Sequence, residues 1–459
     1  MRKNVDMLNG PIFRNMIRFV VPVILTNLLQ ILFNVTDMIV VGQYCGSVAV
    51  AAVSATSYLT RLLVNFFFGI GIGTGVVVSR SIGAGNSEAV HRTVHNAIPT
   101  ALVCGGLVSI IGVFFAPTFL EWMGTPEGIL PLSSLYMQIY FAGMIFNMTY
   151  NFSAAILRAA GETRLPLFFL TIAGVANVTL NIIFVTVLNM NVAGVALATT
   201  ISQAISAILT IIALTRRSDN CKLILKKMRF YKAQLLQVLR FGLPAGINSS
   251  LFALSNTFIV SSINSFNNQA LIAGHGAAGN LEGFLSSITS GFQTAQLNFI
   301  GQNSGAQNYK RVRKVYFTGL FAMILTVGTA SILMYLFREP LLSLYLTDSQ
   351  EAMLWGFKRM YYIGYFYILL GCMDNTTGAL RGLGLSLTSM FIALIGACGL
   401  RILWVYTIFQ VPAYHTMDCL YSSYPISWIV TFTALSVPFH YIVTKRAKLQ
   451  NSLSQRSTI

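Results

Sequence analysis

Apolar stretches of about 20 residues recur from one end of this 459-residue chain to the other, separated by short polar segments. As a helix, each is long enough to span about 30 Å of hydrocarbon. The pattern predicts twelve such helices, at 17–41, 51–79, 94–116, 133–157, 166–188, 192–215, 238–263, 270–300, 313–337, 353–380, 386–410 and 422–444. Membrane β-strands leave a weaker trace, alternating segments of about 10 residues, which these runs do not match. The expected fold class is an all-α integral membrane protein.

The chain also repeats itself at an offset of about 222 residues. Phe19-Val20-Val21-Pro22 recurs as Phe241-Gly242-Leu243-Pro244, and Gly83-Ala84-Gly85-Asn86 as Gly305-Ala306-Gln307-Asn308. Leu157-Arg158-Ala159-Ala160-Gly161 recurs as Leu380-Arg381-Gly382-Leu383-Gly384. Each half holds six spans. An even number returns the chain to the same side, so the halves are parallel repeats. The expected organisation is an N-terminal bundle at 1–215, a basic linker at 216–237 and a C-terminal bundle with its tail at 238–459.

Only 9% of residues are charged, against about a quarter in soluble chains. The net charge of +17 raises the possibility of nucleic-acid binding, but its placement argues otherwise. Arg14, Arg18, Arg80, Arg92, Arg158, Arg164, the run from Arg216 to Arg240, Lys310 to Lys314, Arg381 and Lys445 to Lys448 all fall on one side of the predicted spans. That is the positive-inside pattern, with both termini cytoplasmic and the chain in the cell membrane. The expected polyanionic partner is the lipid surface, not nucleic acid. The first apolar run is full length with no small-residue cleavage site behind it, so it reads as a retained helix. The six cysteines form no Cys-x-x-Cys pair and read as small apolar fillers.

Three acids interrupt apolar spans: Asp37, Glu282 and Asp374. A carboxylate at that depth is costly and marks a functional position by default. Asp37 closes a stripe with Asn27, Gln30 and Asn34, spaced three, four and three apart on one helical face. Asn147 and Asn151 in the fourth span, Asn177 and Asn181 in the fifth, and Thr199 and Gln203 in the sixth are candidates to converge with it. Carboxylate, amide and hydroxyl oxygens suit a hard cation such as Na⁺. The same acid could instead carry a proton, since desolvation penalises its charge. The bland alternative for the amides is interhelical hydrogen bonding.

In the eighth span His275, Gly279, Glu282 and Ser286 share a face, and Asp374 and Asn375 lie in the tenth. Arg61 and Arg401 are the bases available to neutralise these acids, and an Arg61–Glu282 pair between the two bundles is geometrically possible. Pro22 and Pro244 sit early in the first and seventh spans, where each removes a helical hydrogen bond and makes either a kink or a hinge. Gly69 to Gly75 reads as close helix packing. No Gly-Lys pair exists, so no Walker A motif is present. No nucleophile–base pair or zinc motif stands out, so no enzyme, metal or cofactor is expected. An ion gradient would have to drive any transport.

Asn34-Val35-Thr36-Asp37-Met38-Ile39-Val40-Val41-Gly42-Gln43, followed by Ala49-Val50-Ala51-Ala52-Val53, resembles the first-helix signature of multidrug and toxic compound extrusion (MATE) transporters. Gly378-Ala379-Leu380-Arg381-Gly382-Leu383-Gly384 is similar to the family's tenth-helix signature. The resemblance implies a V-shaped pair of six-helix bundles working by rocking-bundle alternating access, acting as a monomer. It implies export of bulky, often cationic organic compounds in exchange for H⁺ or Na⁺. It also implies a coupling site at Asp37, Asn177 and Thr199. Asn181 stands where relatives often carry a second acid, which leans the reading to H⁺. Substrate would meet Asn34, Asn151, Glu282, Asp374 and Arg61. A lipid-linked saccharide flippase of related architecture is the alternative, but it favours a strongly cationic cavity, whereas three acids here face two arginines within the spans. A receptor-like protein without transport is disfavoured by the repeat and the polar stripes.

Overall fold

A computed structural model describes residues 4–346 and 349–456, and helix is the only regular structure among them. The helices follow the predicted spans in order. They are α1 (Ile12–Val40), α2 (Ser47–Gly83), α3 (Ser87–Trp122), α4 (Leu130–Ala142), α5 (Met144–Ala159), α6 (Arg164–Ile182), α7 (Asn191–Thr215) and α8 (Lys232–Asn264). Then come α9 (Gln269–Gly305), α10 (Tyr309–Leu336), the short α11 (Arg338–Ser343), α12 (Gln350–Arg359), α13 (Tyr367–Gly382), α14 (Ser386–Ala393), α15 (Leu400–Tyr406) and α16 (Met417–Arg456). Among the described residues, nine helical stretches are long and apolar enough to cross a membrane. The other three expected spans have physical reasons to fall outside that set. The fourth breaks at Gly143 between α4 and α5, the tenth breaks between α12 and α13, and α9 is rich in Ser, Thr, Asn and Gln.

The repeat extends to the loops. Asn86 caps α3 by accepting from Ala89 N–H at 2.9 Å, and Asn308 caps α10 by accepting from Arg311 N–H at 3.0 Å. Capping by a short polar side chain satisfies a donor the helix start leaves free. The preceding residues, Gly85 (φ +66°) and Gln307 (φ +57°), are both left-handed, as are Gly161 and Gly384, both at φ +83°. After α5, Gly161 N–H donates to Arg158 O at 3.0 Å; after α13, Gly384 N–H donates to Arg381 O at 2.9 Å.

The chain divides into two compact units, Met1–Val5 with Leu25–Ser250 and Asp6–Ile24 with Leu251–Ile459. The division therefore falls inside α1 and α8, not in the 216–237 linker where the sequence places it. Packing accounts for the α8 assignment. Gly69 and Gly73 of α2 lie against Gly242 and Gly246 of α8, and a Cβ on Gly69 would overlap the Gly246 backbone. Small residues four apart on both helices let the backbones touch, so the first part of α8 packs as a member of the first unit. In the second unit, the start of α1 buries Met16 and Phe19, and Phe19 meets Phe299 of α9 edge-on at 5.7 Å.

Candidate functional site

In the first unit, Asp37 is 7% exposed and draws three helices together. Its Oδ1 accepts from Asn181 Nδ2 of α6 at 2.6 Å, and its Oδ2 accepts from Thr199 Oγ1 of α7 at 3.0 Å. Asn177 Nδ2 donates to Thr199 Oγ1 at 3.2 Å, and Asn181 Nδ2 also reaches Asn177 Oδ1 at 3.3 Å. The Asn181 side chain is fully buried, yet its Oδ1 has no hydrogen-bond partner. The i,i+4 spacing of the two asparagines sets both amides on the face of α6 that meets α1. Gly174 makes that approach possible, because a Cβ there would overlap the Phe33 ring of α1. Tyr136 and Tyr140 of α4, stacked with centroids 6.1 Å apart, add their phenols to the electrostatic surroundings of Asp37.

The four residues expected to form the coupling site thus lie in one hydrogen-bonded cluster. The other first-half candidates lie outside it. Asn151 is buried but donates to Asn147 of its own helix, at 2.8 Å to Oδ1 and 2.9 Å to the carbonyl. Asn34 is exposed one turn before Asp37, and Arg61 is exposed on α2.

In the second unit, the base that neutralises Glu282 is neither Arg61 nor Arg401. Arg359, at the end of α12, meets Glu282 side-on, Nε to Oε1 at 2.9 Å and Nη2 to Oε2 at 2.7 Å. Its remaining nitrogen reaches His275 Nε2, and His275 Nδ1 lies 3.1 Å from the Tyr421 hydroxyl. The shared helical face of His275 and Glu282 is real, and its function in the fold is to receive this guanidinium. Asp374 is separate from that network. It accepts from Thr289 Oγ1 at 3.0 Å and from Gln293 Nε2 at 3.4 Å. Its neighbour Asn375 is fully buried with neither side-chain polar atom partnered. Arg401 is buried among aromatic rings, 4.3 Å from the Tyr424 centroid and 5.6 Å from that of Trp428, and donates to Ser427 Oγ at 2.9 Å. Such stacking offsets part of the desolvation of a buried guanidinium.

One feature of the site has no trace in the side-chain pattern. Wide π-helical turns occur at Val41–Cys45, Ile183–Val187, Met360–Gly364 and Leu394–Gly399. Each lies within a few residues of Asp37, Asn181, Arg359 or Arg401. Such turns insert an extra residue in the hydrogen-bond ladder and recur at functional positions.

Long apolar helices with buried carboxylates among them define a multi-pass membrane protein. Compared with solved structures, the chain matches an outward-facing multidrug resistance MATE family transporter of the MOP superfamily at a TM-score of 0.89, with 19% identity, covering 98% of this chain and 99% of that one. The chain accordingly has the twelve-helix, two-lobe fold of those proteins. The MatE family profile matches residues 22–183 and 244–407, and the chain belongs to the MatE family. Among relatives, the probable multidrug resistance protein YoeA of Bacillus subtilis is 27% identical over 444 residues, 95% of each chain. The FAD transporter of Shewanella oneidensis is 23% identical over 385 residues, 82% of each chain.

Proposed function

We propose that this protein is a secondary antiporter that exports organic cations, drugs among them, in exchange for H⁺ by rocking-bundle alternating access. It works as a monomer in the cell membrane, with both termini in the cytoplasm. The observation that carries this reading is the Asp37 cluster. The partners of this buried carboxylate are a neutral amide and a neutral hydroxyl on two other helices. A proton taken up on either oxygen turns an acceptor into a donor. At Oδ1 the bond from the Asn181 N–H is then lost and α1 is loosened from α6, whereas at Oδ2 the bond to Thr199 reverses, its hydroxyl turning to accept. Proton loading is thereby coupled to a change in helix packing. Pro22 and Pro244 are the hinge points of that change: the chain passes from one unit to the other shortly after each proline, at 24–25 and 250–251.

Relatives named as multidrug resistance proteins support export of small organic compounds, and the match to them over most of the chain does not favour a saccharide flippase. Glu282 carries its own counter-charge, so Asp374 is the carboxylate left in the second unit to attract a cationic substrate. In the first unit, Asn34, Asn151 and Arg61 are the candidate substrate contacts. One charge moved through 100 mV supplies about 2.3 kcal/mol, enough to hold a roughly fifty-fold gradient of a neutral solute, but one-for-one exchange of H⁺ for a monovalent cation moves no net charge and is driven by the pH gradient alone.

A second coupling ion has one observation in its favour. The unpartnered Asn181 Oδ1, with the Asp37 carboxylate, Asn177 Oδ1 and Thr199 Oγ1, offers the oxygens a Na⁺ ion takes. Exchange of a fluorescent organic cation in proteoliposomes separates the two. Efflux driven by a pH gradient alone and abolished in Asp37→Asn supports H⁺ exchange. Efflux that needs a Na⁺ gradient moves the assignment to Na⁺. Gradient-driven efflux that is undiminished in Asp37→Asn removes the coupling role of Asp37 altogether.

A further inference from the structure

The linker between α7 and α8 is folded against the start of α3. Asn220 Nδ2 donates to Ser87 Oγ at 2.8 Å, Ile224 N–H donates to His95 Nε2 at 2.9 Å, and Tyr231 N–H donates to Asn96 Oδ1 at 3.2 Å. Cys221 and Leu223 are buried in the core beneath. Side chain–backbone bonds at both ends hold residues 224–231 in place, so this segment is a built surface. Between it and α3 lies an open cavity of about 460 Å³, lined by Arg92, Lys226, Lys227, Arg229 and Tyr231 and also by Glu88, His91 and Met228. Four cations thus face one carboxylate, and Glu88 is already engaged by Arg92. The guanidinium of Arg229 lies 4.6 Å from the Tyr231 ring centroid and that of Arg92 lies 5.8 Å from it, so one ring orders two cations.

The same segment carries a second signal. Leu225 and Phe230, on either side of the basic run, are 53% and 52% exposed. Large apolar side chains alternating with Lys and Arg are the composition of a surface that lies in the membrane interface, its apolar groups among acyl chains and its cations among headgroups. The position agrees, because the segment joins the ends of two membrane-crossing helices beside the start of a third.

We propose that the cavity between the start of α3 and residues 224–231 binds the headgroup phosphate of an anionic glycerophospholipid. Arg229, held against the Tyr231 ring, presents its guanidinium donors to the phosphate oxygens, which planar guanidinium suits better than ammonium, while Arg92 stands beside it in its pair with Glu88. Lys226 and Lys227 add unpaired positive charge at the rim. Leu225 and Phe230 contact the acyl chains of the same lipid. The inference is independent of what the protein transports.

Thermal melting of the purified full chain in mixed micelles tests it, with phosphatidylglycerol or phosphatidylcholine added in equal amounts. Phosphatidylglycerol is expected to raise the melting temperature by several degrees over phosphatidylcholine. The triple variant Lys226→Gln/Lys227→Gln/Arg229→Gln should lose at least half of that rise. A control removing the same charge at the start of α10, Lys310→Gln/Arg313→Gln/Lys314→Gln, should keep it. Should the triple variant not fold, Lys226→Gln/Lys227→Gln and Leu225→Asn/Phe230→Asn each leave the Arg229–Tyr231 stack intact and should each diminish the rise. An equal rise in the variants and wild type overturns the site, and so does an equal loss in the α10 control. An equal rise with inorganic phosphate alone overturns the lipid as its occupant.

Discussion

Replacing Arg359 with methionine tests whether Glu282 stands in the fold as half of an ion pair. The two side chains are 11% and 8% exposed and meet through two parallel hydrogen bonds, so neither charge has water to fall back on. Removing one partner of such a pair costs about 3–5 kcal/mol, because the other is left buried and uncompensated. In a unit of about two hundred residues each kcal/mol moves the melting temperature by roughly 2–4 °C. Arg359→Met is therefore expected to melt roughly 6–20 °C below wild type. Removing both charges is a different perturbation. Neutral groups in place of a buried pair are often neutral or even stabilising, so Arg359→Met/Glu282→Gln should recover at least half of the loss. Melting followed by intrinsic fluorescence, on Arg359→Met, Glu282→Gln and the double variant in one detergent, gives the coupling directly. An Arg359→Met protein as stable as wild type, or a double variant as unstable as the two single effects added together, would refute the reasoning.

Three further outcomes follow from the geometry. Gly174→Val drives a side chain into Phe33, an overpacking cost of about 1–3 kcal/mol, and moves Asn177 and Asn181 off Asp37. Ion-driven exchange should fall by more than protein yield does, and Phe33→Ala should restore part of it. Asp374→Asn keeps a side chain of the same shape beside Thr289 and Gln293 but removes the charge, so KM for a cationic substrate should rise several-fold while that for a neutral one stays constant. In the linker, burial pushes the Asp219 carboxyl up, but the hydrogen bond and charge of Arg217 and the Cys221 N–H outweigh it and hold the group below its usual range. A depressed carboxylate contributes stability above its unfolded value, about pH 4, and loses it as the pH falls further. Asp219→Asn should flatten the acid limb of a melting-temperature profile against pH.

The helices and the repeat were legible because both are written in side chains: apolar runs of membrane length, and Asn86 and Asn308 as caps in matched turns. Asp37 was legible through its cost in hydrocarbon, and Asn177, Asn181 and Thr199 through spacing and family likeness. Arg359 was missed as a partner because it stands among Arg338 and Lys358 near a loop, where a base reads as surface charge. The signal available was Glu282 itself, since an acid at that depth needs polar partners and a base on a neighbouring helix is one of the few that offset its charge. The π-helical turns had no signal, because a shift in backbone hydrogen-bond register leaves the pattern of apolar positions almost unchanged. The division within α1 and α8 was hidden for a related reason. A helix that changes partners midway stays apolar throughout, and only the glycines at 69, 73, 242 and 246 hinted at where α8 begins its course.

That division has a consequence for how the chain is made. Residues 6–24 are made before residues 25–250, yet they belong to the unit whose remaining residues begin at 251. They must wait for more than two hundred residues of synthesis before their packing partners exist. Residues 25–250, by contrast, are complete as a unit once the first part of α8 has emerged. Synthesis therefore sets an order, with residues 25–250 able to close before residues 6–24 find their partners. Cutting the gene at the linker would yield two fragments that each lack a piece held by the other, and only their co-expression would restore either fold.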